Sequence, residues 1–299
     1  MDLVTTMSLI LLPTPARAIT AADLARCLDC GAALGGRAEC PGCARAYPVV
    51  DGVLEAIAPL SGTNRIASAF YDGPGWPRFK PWEEWFLRFL GPGVRRARQQ
   101  ILRFLPDRPE ARVLEVGIGD GANLPLLPSD WTVYGVDIAR RPLLDCLARV
   151  PEMTGRLALA EAEALPFSDA TFDAVFSVGG FNYFSDHAAA LREMRRVARP
   201  GATIVVADEH ADLHKCSLWN LLGLGAIERW SLRATGLDAD FVDMVLSHRV
   251  DVAGLARAVW PEHRLVPIWN RLGYCLVGPD PWPVGERLSV FAESKHFQE

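Results

Sequence analysis

The sequence contains no run of about 18 consecutive uncharged apolar residues, so it predicts no membrane-spanning helix. It also lacks an excess of positive charge, since 31 lysine and arginine residues stand against 36 aspartate and glutamate residues, for a net charge of −5. A large nucleic-acid surface needs clustered cations to neutralise phosphates, and this balance argues against one. Hydrophobic residues make up 50% and charged residues 22% of the 299 positions. This composition predicts a folded, core-rich protein of one large domain, or of one domain with an appendage.

The N-terminus lacks the features of a secretion signal. Its apolar run, Leu9–Leu12, is short, and Pro13 and Pro15 interrupt the stretch that follows. Asp2 stands where such a signal would carry a basic residue. We therefore expect residues 1–20 to be a disordered start and the protein to be cytoplasmic.

Four of the seven cysteines are clustered, in two C-x-x-C pairs formed by Cys27, Cys30, Cys40 and Cys43. Two residues between thiolates let one tight turn present both sulfurs to an ion, and two such turns supply the tetrahedral set that zinc prefers. A redox dithiol fits less well, because no strand–helix pattern surrounds either pair. Disulfides are unusual in a cytoplasmic chain. The spacing predicts a zinc site, or the evolved remnant of one.

The residues after the second pair extend this pattern. The motif C-x-x-C-x-R-x-Y-P-V-V-D-G-V, which ends at Val53, resembles zinc-ribbon modules related to the small activator subunits of tRNA and protein methyltransferases. Such ribbons also occur fused ahead of bacterial methyltransferase domains. The resemblance covers about residues 27–57 and implies a ribbon module over 21–58. The module would hold a structural zinc, since four thiolates leave no open coordination position. It could also contact a protein partner or a second copy of the chain.

From residue 112 onward, short β-branched runs alternate with helical segments. The predicted strands are 112–116, 133–137, 157–159, 172–177 and 203–207, and the predicted helices cover 139–149 and 185–199. A helical stretch is also predicted directly after the glycine-rich turn that follows the first strand. Alternating strands and helices predict a parallel, doubly wound α/β sheet. Ligands bind such a sheet at the carboxyl ends of its strands.

The glycine-rich turn admits two kinds of ligand. The G-x-G-x-x-A sequence that begins at Gly117 matches a dinucleotide fingerprint, and Asp137 lies where a nicotinamide-dinucleotide-binding acid would be. However, Glu115 precedes the first glycine, and an acid there suits a cationic, amine-bearing ligand better than a pyrophosphate. A second acidic loop, Glu161–Phe167, follows the third strand.

The complete series resembles the class I S-adenosylmethionine (SAM)-dependent methyltransferases of the type 11-like group. The pattern is V-L-E-x-G-x-G-x-G, then G-x-D, A-E-x-L-P-F, F-D and A-L-x-E-x-x-R-V-x-x-P-G, over about residues 110–209. Ala202 departs from it, because a second glycine is usual there. The resemblance implies a seven-stranded Rossmann-like sheet whose reversed final hairpin would be 263–267 and 274–278. It assigns the domain to 110–299, with a lid insertion at about 211–260.

The resemblance also implies which residues bind SAM. Those implied at its amino-acid end are Glu115, Gly117, Gly119 and Gly121. Those implied at its nucleoside are Asp137, Ile138, Glu161 and Ala162. Glu115 would lie near the charged amine, Asp137 would accept hydrogen bonds from both ribose hydroxyls, and Glu161 would meet the exocyclic amine of adenine. Ile138 would pack on the adenine ring, and Ala162 would offer its backbone N–H.

The catalytic residues are predicted less directly. His210, after the fifth strand, is the predicted general base, because strand-end loops face the methyl donor. Asn182 and Tyr183, after the fourth strand, would orient the acceptor. Two apolar segments, a helical connector at 59–109 and the insertion, would cap the acceptor pocket, with ordinary helix packing as the alternative.

The sequence therefore predicts a SAM-dependent methyltransferase that acts on oxygen or carbon of a small apolar or aromatic metabolite. One alternative is methylation of RNA or of a translation protein, with the zinc ribbon as the docking module. The other is a non-catalytic SAM-binding scaffold.

Overall fold

The computed structural model of the chain describes residues 18–89, 93–210, 225–234, 237–247 and 249–278. The predicted disordered start lies outside these residues up to position 17, and Thr20 already caps the first helix. The strands in the described part are β1 (Val49–Val50), β2 (Val53–Glu55), β3 (Arg112–Val116), β4 (Thr132–Asp137), β5 (Leu157–Leu159), β6 (Phe172–Val178), β7 (Ala198–Glu209), β8 (Arg264–Ile268) and β9 (Gly273–Gly278).

These strands form one sheet in the order β1-β2-β5-β4-β3-β6-β7-β9-β8. Neighbours from β2 to β7 in this order pair in parallel, whereas β9 runs antiparallel to both β7 and β8. The predicted parallel α/β sheet with a reversed final hairpin is confirmed. The predicted count of seven strands is too low, because β3–β9 supply those seven and the hairpin β1–β2 adds two more at the edge.

Helices cover both faces of the sheet. The helices in the described part are α1 (Ala21–Leu24), α2 (Gly62–Asp72), α3 (Gly75–Phe89), α4 (Val94–Leu102), α5 (Arg140–Arg149), α6 (His187–Val197), α7 (Gly225–Ala234), α8 (Ala239–Ser247) and α9 (Val252–Val259). None of these helices is long and apolar enough to cross a membrane.

Successive strand residues alternate between the two faces, as the pleat of a sheet requires. On one face Leu114 and Val116 share a buried cluster with residues of α6, α9 and the cysteine-rich segment. On the other face Val113 packs with Ile101 of α4, and Leu157 packs with α5. The sheet is therefore doubly wound. Because helices cover both faces, a ligand can reach the sheet at the ends of its strands.

The segment after the glycine-rich turn is not the helix that the sequence predicts. It forms turns and one short 3-10 helix, Leu124–Leu126. Pro125 and Pro128 explain the difference, because proline lacks a backbone N–H and its ring blocks the preceding turn of an α-helix. The described structure therefore offers a ligand the loop's own N–H groups, without a long helix behind them.

The cysteine-rich segment is built into the sheet. Strand β2 pairs in parallel with β5, with Val53 opposite Leu157, and Glu55 at its end forms an ion pair with Arg140 of α5. Four buried side chains of the segment share one core with Phe167 and Phe172: Cys27, Leu34, Cys40 and Tyr47. The segment is thus continuous with the sheet domain.

Part of the predicted connector and lid forms an aromatic cap. Phe70 of α2 stacks on Phe241 of α8 with ring centroids 3.8 Å apart, and Trp76 and Tyr183 lie in the same apolar cluster. Residues 211–224 of the predicted insertion lie outside the described part. The cap joins the neighbouring helices α2 and α3 to α8, which begins 150 positions after α3 ends.

Candidate cofactor site and cysteine cluster

Three acids predicted to bind SAM lie at or near the carboxyl ends of neighbouring strands. Glu115 is in β3, Asp137 ends β4, and Glu161 follows β5 by two residues. These strands are parallel neighbours, so their carboxyl ends lie side by side. The fold therefore brings together acids that the sequence separates.

The glycine loop turns sharply out of β3. Gly117, Gly119 and Gly121 have φ angles of 75°, 55° and 73°, in the left-handed region that favours glycine. At Gly121 packing excludes a side chain as well, because an added Cβ would lie 2.7 Å from Cys146 Sγ. An added Cβ at Gly119 would meet no described atom within 4 Å, so a ligand can approach the backbone there.

Asp137 fixes this loop to β4. Its Oδ2 accepts a hydrogen bond from Gly119 N at 2.9 Å, and its Oδ1 accepts one from Ala139 N at 3.0 Å. Burial raises the pKa of Asp137 to about 6, although these hydrogen bonds oppose the change. Each oxygen keeps a further lone pair, so the carboxylate can still accept from two hydroxyls.

Glu115 has one buried carboxylate oxygen to which a ligand could donate a hydrogen bond. Its Oε1 accepts a hydrogen bond from Asn123 Nδ2 at 2.5 Å, while its buried Oε2 has no partner. Burial raises the pKa of Glu115 to about 8, against the hydrogen bond from Asn123. A buried acceptor without a partner is costly, and a cationic amine would satisfy it.

Sequence reasoning missed Ser177, at the end of β6. Its side chain is fully buried, its hydroxyl has no partner, and Oγ lies 4.0 Å from the position of a Cβ added to Gly117. A polar residue directly after the apolar run Ala174–Phe176 was the available signal. Ser177 and Glu115 thus present two unpartnered oxygens from the neighbouring strands β6 and β3.

The helices of the predicted connector anchor this loop. Lys80 of α3 donates to Asp120 Oδ2 at 2.8 Å, and Arg149 of α5 contacts the same oxygen at 2.7 Å. Arg98 of α4 donates to Asn123 Oδ1 at 2.7 Å, so it orients the amide that in turn donates to Glu115. The connector therefore positions the glycine loop, a role that the sequence did not indicate.

The residues predicted to meet the nucleoside lie beneath α2. The Ile138 carbonyl accepts a hydrogen bond from Ser68 Oγ at 3.2 Å, and Glu161 Oε2 accepts one from Asn64 Nδ2 at 3.1 Å. Burial raises the pKa of Glu161, and the bond from Asn64 opposes this change. Ala162 is buried beside them. Asn64 is a second residue that sequence reasoning missed.

Of the predicted catalytic residues, Asn182 is buried and committed to structural contacts. Its backbone N donates to Asp208 Oδ2 at 2.9 Å, and its Nδ2 donates to the Glu209 carbonyl at 2.8 Å. Its Oδ1 accepts from the Tyr274 hydroxyl at 3.3 Å. Asn182 therefore ties the end of β6 to β7 and β9, and Tyr274 joins the candidate site.

His210 and Tyr183 face different surroundings. The ring of His210 is exposed and lies 5.5 Å, centroid to centroid, from Tyr274. Tyr183 lies 5.5 Å from Phe241 in the aromatic cap. The structure therefore brings His210 and Asn182 to Tyr274, whereas Tyr183 belongs to the cap beside them.

The four clustered cysteines converge at one point. Their Sγ atoms all lie within 4.8 Å of one another, with Cys27–Cys43 and Cys30–Cys40 separations of 3.4 Å. Gly42 N donates to Cys40 Sγ at 3.3 Å. A tetrahedral thiolate site needs four sulfurs around one centre, and this arrangement fits one zinc ion.

Tyr47 supports this cluster from within the core. Its hydroxyl donates to Cys27 Sγ at 3.3 Å and accepts from Leu28 N at 2.6 Å. Burial by itself would raise the pKa of Cys27, but hydrogen bonds from Tyr47 and the backbone lower it to about 6. A lowered pKa favours the thiolate, the form that binds metal.

Comparison with known sequences agrees with this geometry. Residues 114–206, about a third of the chain, match the family described as a methyltransferase domain. An uncharacterized Mycobacterium tuberculosis protein is 41% identical over 101 residues, 33% of this chain and 37% of that protein. The 2-methyl-6-phytyl-1,4-hydroquinone methyltransferase of Synechocystis is 35% identical over 103 residues, 33% of this chain and 32% of that protein. The chain thus spans about a third of the length of these relatives.

Among solved structures, a SAM-dependent methyltransferase from Aquifex aeolicus is similar. It is 18% identical with a TM-score of 0.42, covering 73% of this chain and 97% of that one. The strand order of the sheet is what establishes the α/β fold class of this chain.

Proposed function

We propose that the protein is a SAM-dependent methyltransferase. The observation that carries the proposal is the unpartnered buried oxygen Oε2 of Glu115, two residues before a glycine loop that Asp137 fixes by accepting a hydrogen bond from Gly119 N. An anionic dinucleotide would bring phosphates toward Glu115, whereas SAM would bring an ammonium group. The charge of the site therefore favours SAM over a dinucleotide.

The residues at the strand ends would each bind a different part of SAM. Glu115 and the three loop glycines would hold the amino-acid end, and Asp137 would accept from the ribose hydroxyls. Ile138, Glu161 and Ala162 would enclose the adenine. SAM supplies a methyl group on a sulfonium, which an acceptor atom displaces in line. The protein's main task is to orient that acceptor and, for a phenol or acidic carbon, to remove its proton.

His210 would be the proton acceptor in this scheme, with Tyr274 and Asn182 fixing the end of β7 beside it. His210→Ala should lower turnover about tenfold, a modest loss because water can reach an exposed ring and replace it. SAM affinity should stay nearly unchanged. Methyl transfer to an identified acceptor, measured beside calorimetric SAM binding, checks both expectations. Full activity in the variant would remove His210 from the mechanism.

The acceptor we propose is a small apolar or aromatic metabolite, methylated on oxygen or carbon. The support is the aromatic cap formed by Phe70, Phe241 and Tyr183, and a relative named for a hydroquinone substrate. RNA or a translation protein is the second candidate, favoured by the cysteine cluster and opposed by the net charge of −5.

We further propose that Cys27, Cys30, Cys40 and Cys43 bind one structural zinc ion. The convergence of their Sγ atoms supports this assignment. Division of the chain into a ribbon module, a connector and a methyltransferase domain is part of the same proposal. The ribbon would also be the part of the protein that contacts a partner protein or a second copy.

Two measurements test the proposed function. Calorimetry should detect SAM binding at micromolar concentrations, and no binding at high micromolar SAM would sink the methyltransferase proposal. Labelled SAM should then be incubated with the protein and a cell extract divided into lipid, small-molecule, RNA and protein fractions. Label in the lipid or small-molecule fraction supports the proposed acceptor class, whereas label only in RNA or protein favours the second candidate.

A further inference from the structure

Helix α2 places a polar stripe across the edge of the sheet. Asn64, Ser68 and Asp72 follow one another at intervals of four residues and therefore share one face of the helix. Ser68 Oγ donates to the Ile138 carbonyl at 3.2 Å, and Asp72 Oδ1 accepts from Arg141 N at 2.8 Å. The stripe thus runs over the ends of β4 and β5, where the nucleoside of SAM would lie.

Asn64 makes more hydrogen bonds to other segments than Ser68 or Asp72 does. It is 1% exposed, and its Nδ2 donates to Glu161 Oε2 and to Glu163 Oε2, both at 3.1 Å. Its Oδ1 accepts from Ser185 N at 3.1 Å, and its own N donates to Ser185 Oγ at 3.0 Å. One carboxamide therefore connects α2, the loop after β5 and the segment before α6.

These contacts leave half of the Glu161 carboxylate available. Oε2 is engaged by Asn64, while among the described residues no donor is bonded to Oε1. A carboxylate accepts hydrogen bonds only, so a ligand group that meets Oε1 must be a donor. Without Asn64, Glu161 would face Glu163 with nothing between two like charges, and the two side chains would separate.

We propose that Asn64 is a positioning residue that makes the site specific for a nucleoside base with an exocyclic amine. It holds Glu161 so that Oε1 accepts from that amine. A base with a carbonyl oxygen at the same position is rejected, because the carbonyl would face a fixed carboxylate. This inference rests on the proposed binding of SAM and adds the residue that sets its base specificity.

The test compares two ligands that differ only at the base. S-adenosylhomocysteine carries the exocyclic amine, and its deaminated analogue, S-inosylhomocysteine, carries a carbonyl. Calorimetry on the full-length protein should show that the adenosine compound binds at least about tenfold more tightly, the effect of one hydrogen bond to a charged group. Asn64→Ala should weaken the binding of S-adenosylhomocysteine about tenfold and the binding of S-inosylhomocysteine much less. The ratio of the two dissociation constants should therefore approach one.

Controls separate positioning from a general effect on the helix. Arg65→Ala changes the adjacent, exposed residue and should leave the ratio unchanged. If Asn64→Ala does not fold, as judged by circular dichroism, Asn64→Asp keeps the volume but removes the donor, and it should also lose the preference.

Each outcome has a distinct meaning. Equal weakening of both ligands in the Asn64 variants would show a merely structural role and overturn the inference. A wild-type protein that binds both ligands equally would overturn it too. A wild-type protein that binds neither would instead contradict the proposed function.

Discussion

The cysteine cluster can be compared with the candidate cofactor edge, the end of the sheet that carries Glu115, Asp137 and Glu161. The two regions differ in how completely their polar groups are hydrogen-bonded. In the cluster, four sulfurs converge, Tyr47 and backbone N–H groups donate to them, and the surrounding core is continuous with the sheet. At the cofactor edge, Glu115 Oε2 and Ser177 Oγ are buried without a partner. Unpaired buried oxygens cost stability, and a ligand that donates hydrogen bonds to them would offset this cost.

The two regions also differ in the length of chain that builds them. The cluster uses residues 27–43, so two tight turns are enough to bring its sulfurs together. The cofactor edge draws Glu115, Asp137 and Glu161 from three strands and adds Asn64 from a helix. Strand β2 connects the regions, because it ends near the cysteines' core and pairs with the strand that precedes Glu161.

Loss of the cysteine ligands should have the largest effect. Cys27→Ser with Cys40→Ser should reduce the zinc content of the purified protein from about one ion per chain to none. The free energy of unfolding should fall by roughly several kcal/mol, because metal binding contributes to folding of so small a segment. Elemental analysis and denaturant unfolding provide the measurements.

The matched control is Cys146→Ser, which changes a buried cysteine outside the cluster and should retain zinc. SAM affinity measured in the double variant would sharpen the comparison. Weaker SAM binding would show that β2 supports the cofactor edge through β5, and unchanged binding would show that the regions act independently. Full zinc content in the double variant would contradict the assignment.

Removal of the Glu115 charge should have the next largest effect. Glu115→Gln keeps the side-chain volume but cannot balance an ammonium group, so SAM affinity at pH 8.5 should fall by about 1.5–3 kcal/mol. Wild-type affinity should rise with pH up to about 8, since the pKa of Glu115 is about 8 in the protein without SAM and the proposed contact with the ammonium group needs the carboxylate. The variant should lack this rise, as calorimetry between pH 6 and 9 can show.

In the absence of SAM, the same substitution should stabilise the protein at alkaline pH. Because burial raises the folded-state pKa of Glu115 above its ordinary value of 4.5, the folded state holds its proton where the unfolded state has lost it. This contribution to stability is present at low pH and is lost as pH rises through about 8. Glu115→Gln should not lose it, so its melting temperature should exceed that of the wild type at pH 8.5. A lower melting temperature there would show that the carboxylate is not an unsatisfied group.

Asp137→Ala should weaken SAM binding by about 1–3 kcal/mol, because the ribose hydroxyls lose a charged acceptor. Asp145→Ala, on the exposed side of α5, is the control and should bind SAM like the wild type. Calorimetric titration measures the dissociation constant for SAM in both variants and in the wild type. An unchanged dissociation constant in Asp137→Ala would show that this carboxylate only fixes the loop to Gly119.

Tyr47→Phe should have the smallest effect. The variant loses the hydrogen bond to Cys27 Sγ and leaves Leu28 N without its acceptor, which should cost about 1 kcal/mol of stability. Zinc should be retained but should be removed at a lower chelator concentration. Equal resistance to chelation in both proteins would show that the metal site does not depend on this tyrosine.

Most of the sheet could be predicted from the sequence. Strands β3 and β5 have the predicted bounds, β4, β6 and β9 are each one residue longer at one end, β8 is shifted by one residue, and β7 is longer at both ends. β-branched runs between turns are a local signal, and parallel neighbours follow from their alternation with helices. The helix expected after the glycine loop was wrong, because Pro125 and Pro128 act locally against the more general pattern.

The sequence by itself determined the contacts that short range can encode: the two cysteine turns, the glycine loop and the acids at the strand ends. Only the tertiary structure decided that β2 would extend the sheet, that α2 would cover its edge, and that Asn64 would meet Glu161. Those contacts join residues about 100 positions apart. Their residue types, a short apolar strand and a helical asparagine, fit many partners equally well. Which partner each one meets depends on the packing of the whole chain, because burial rather than local propensity sets the energy of such contacts.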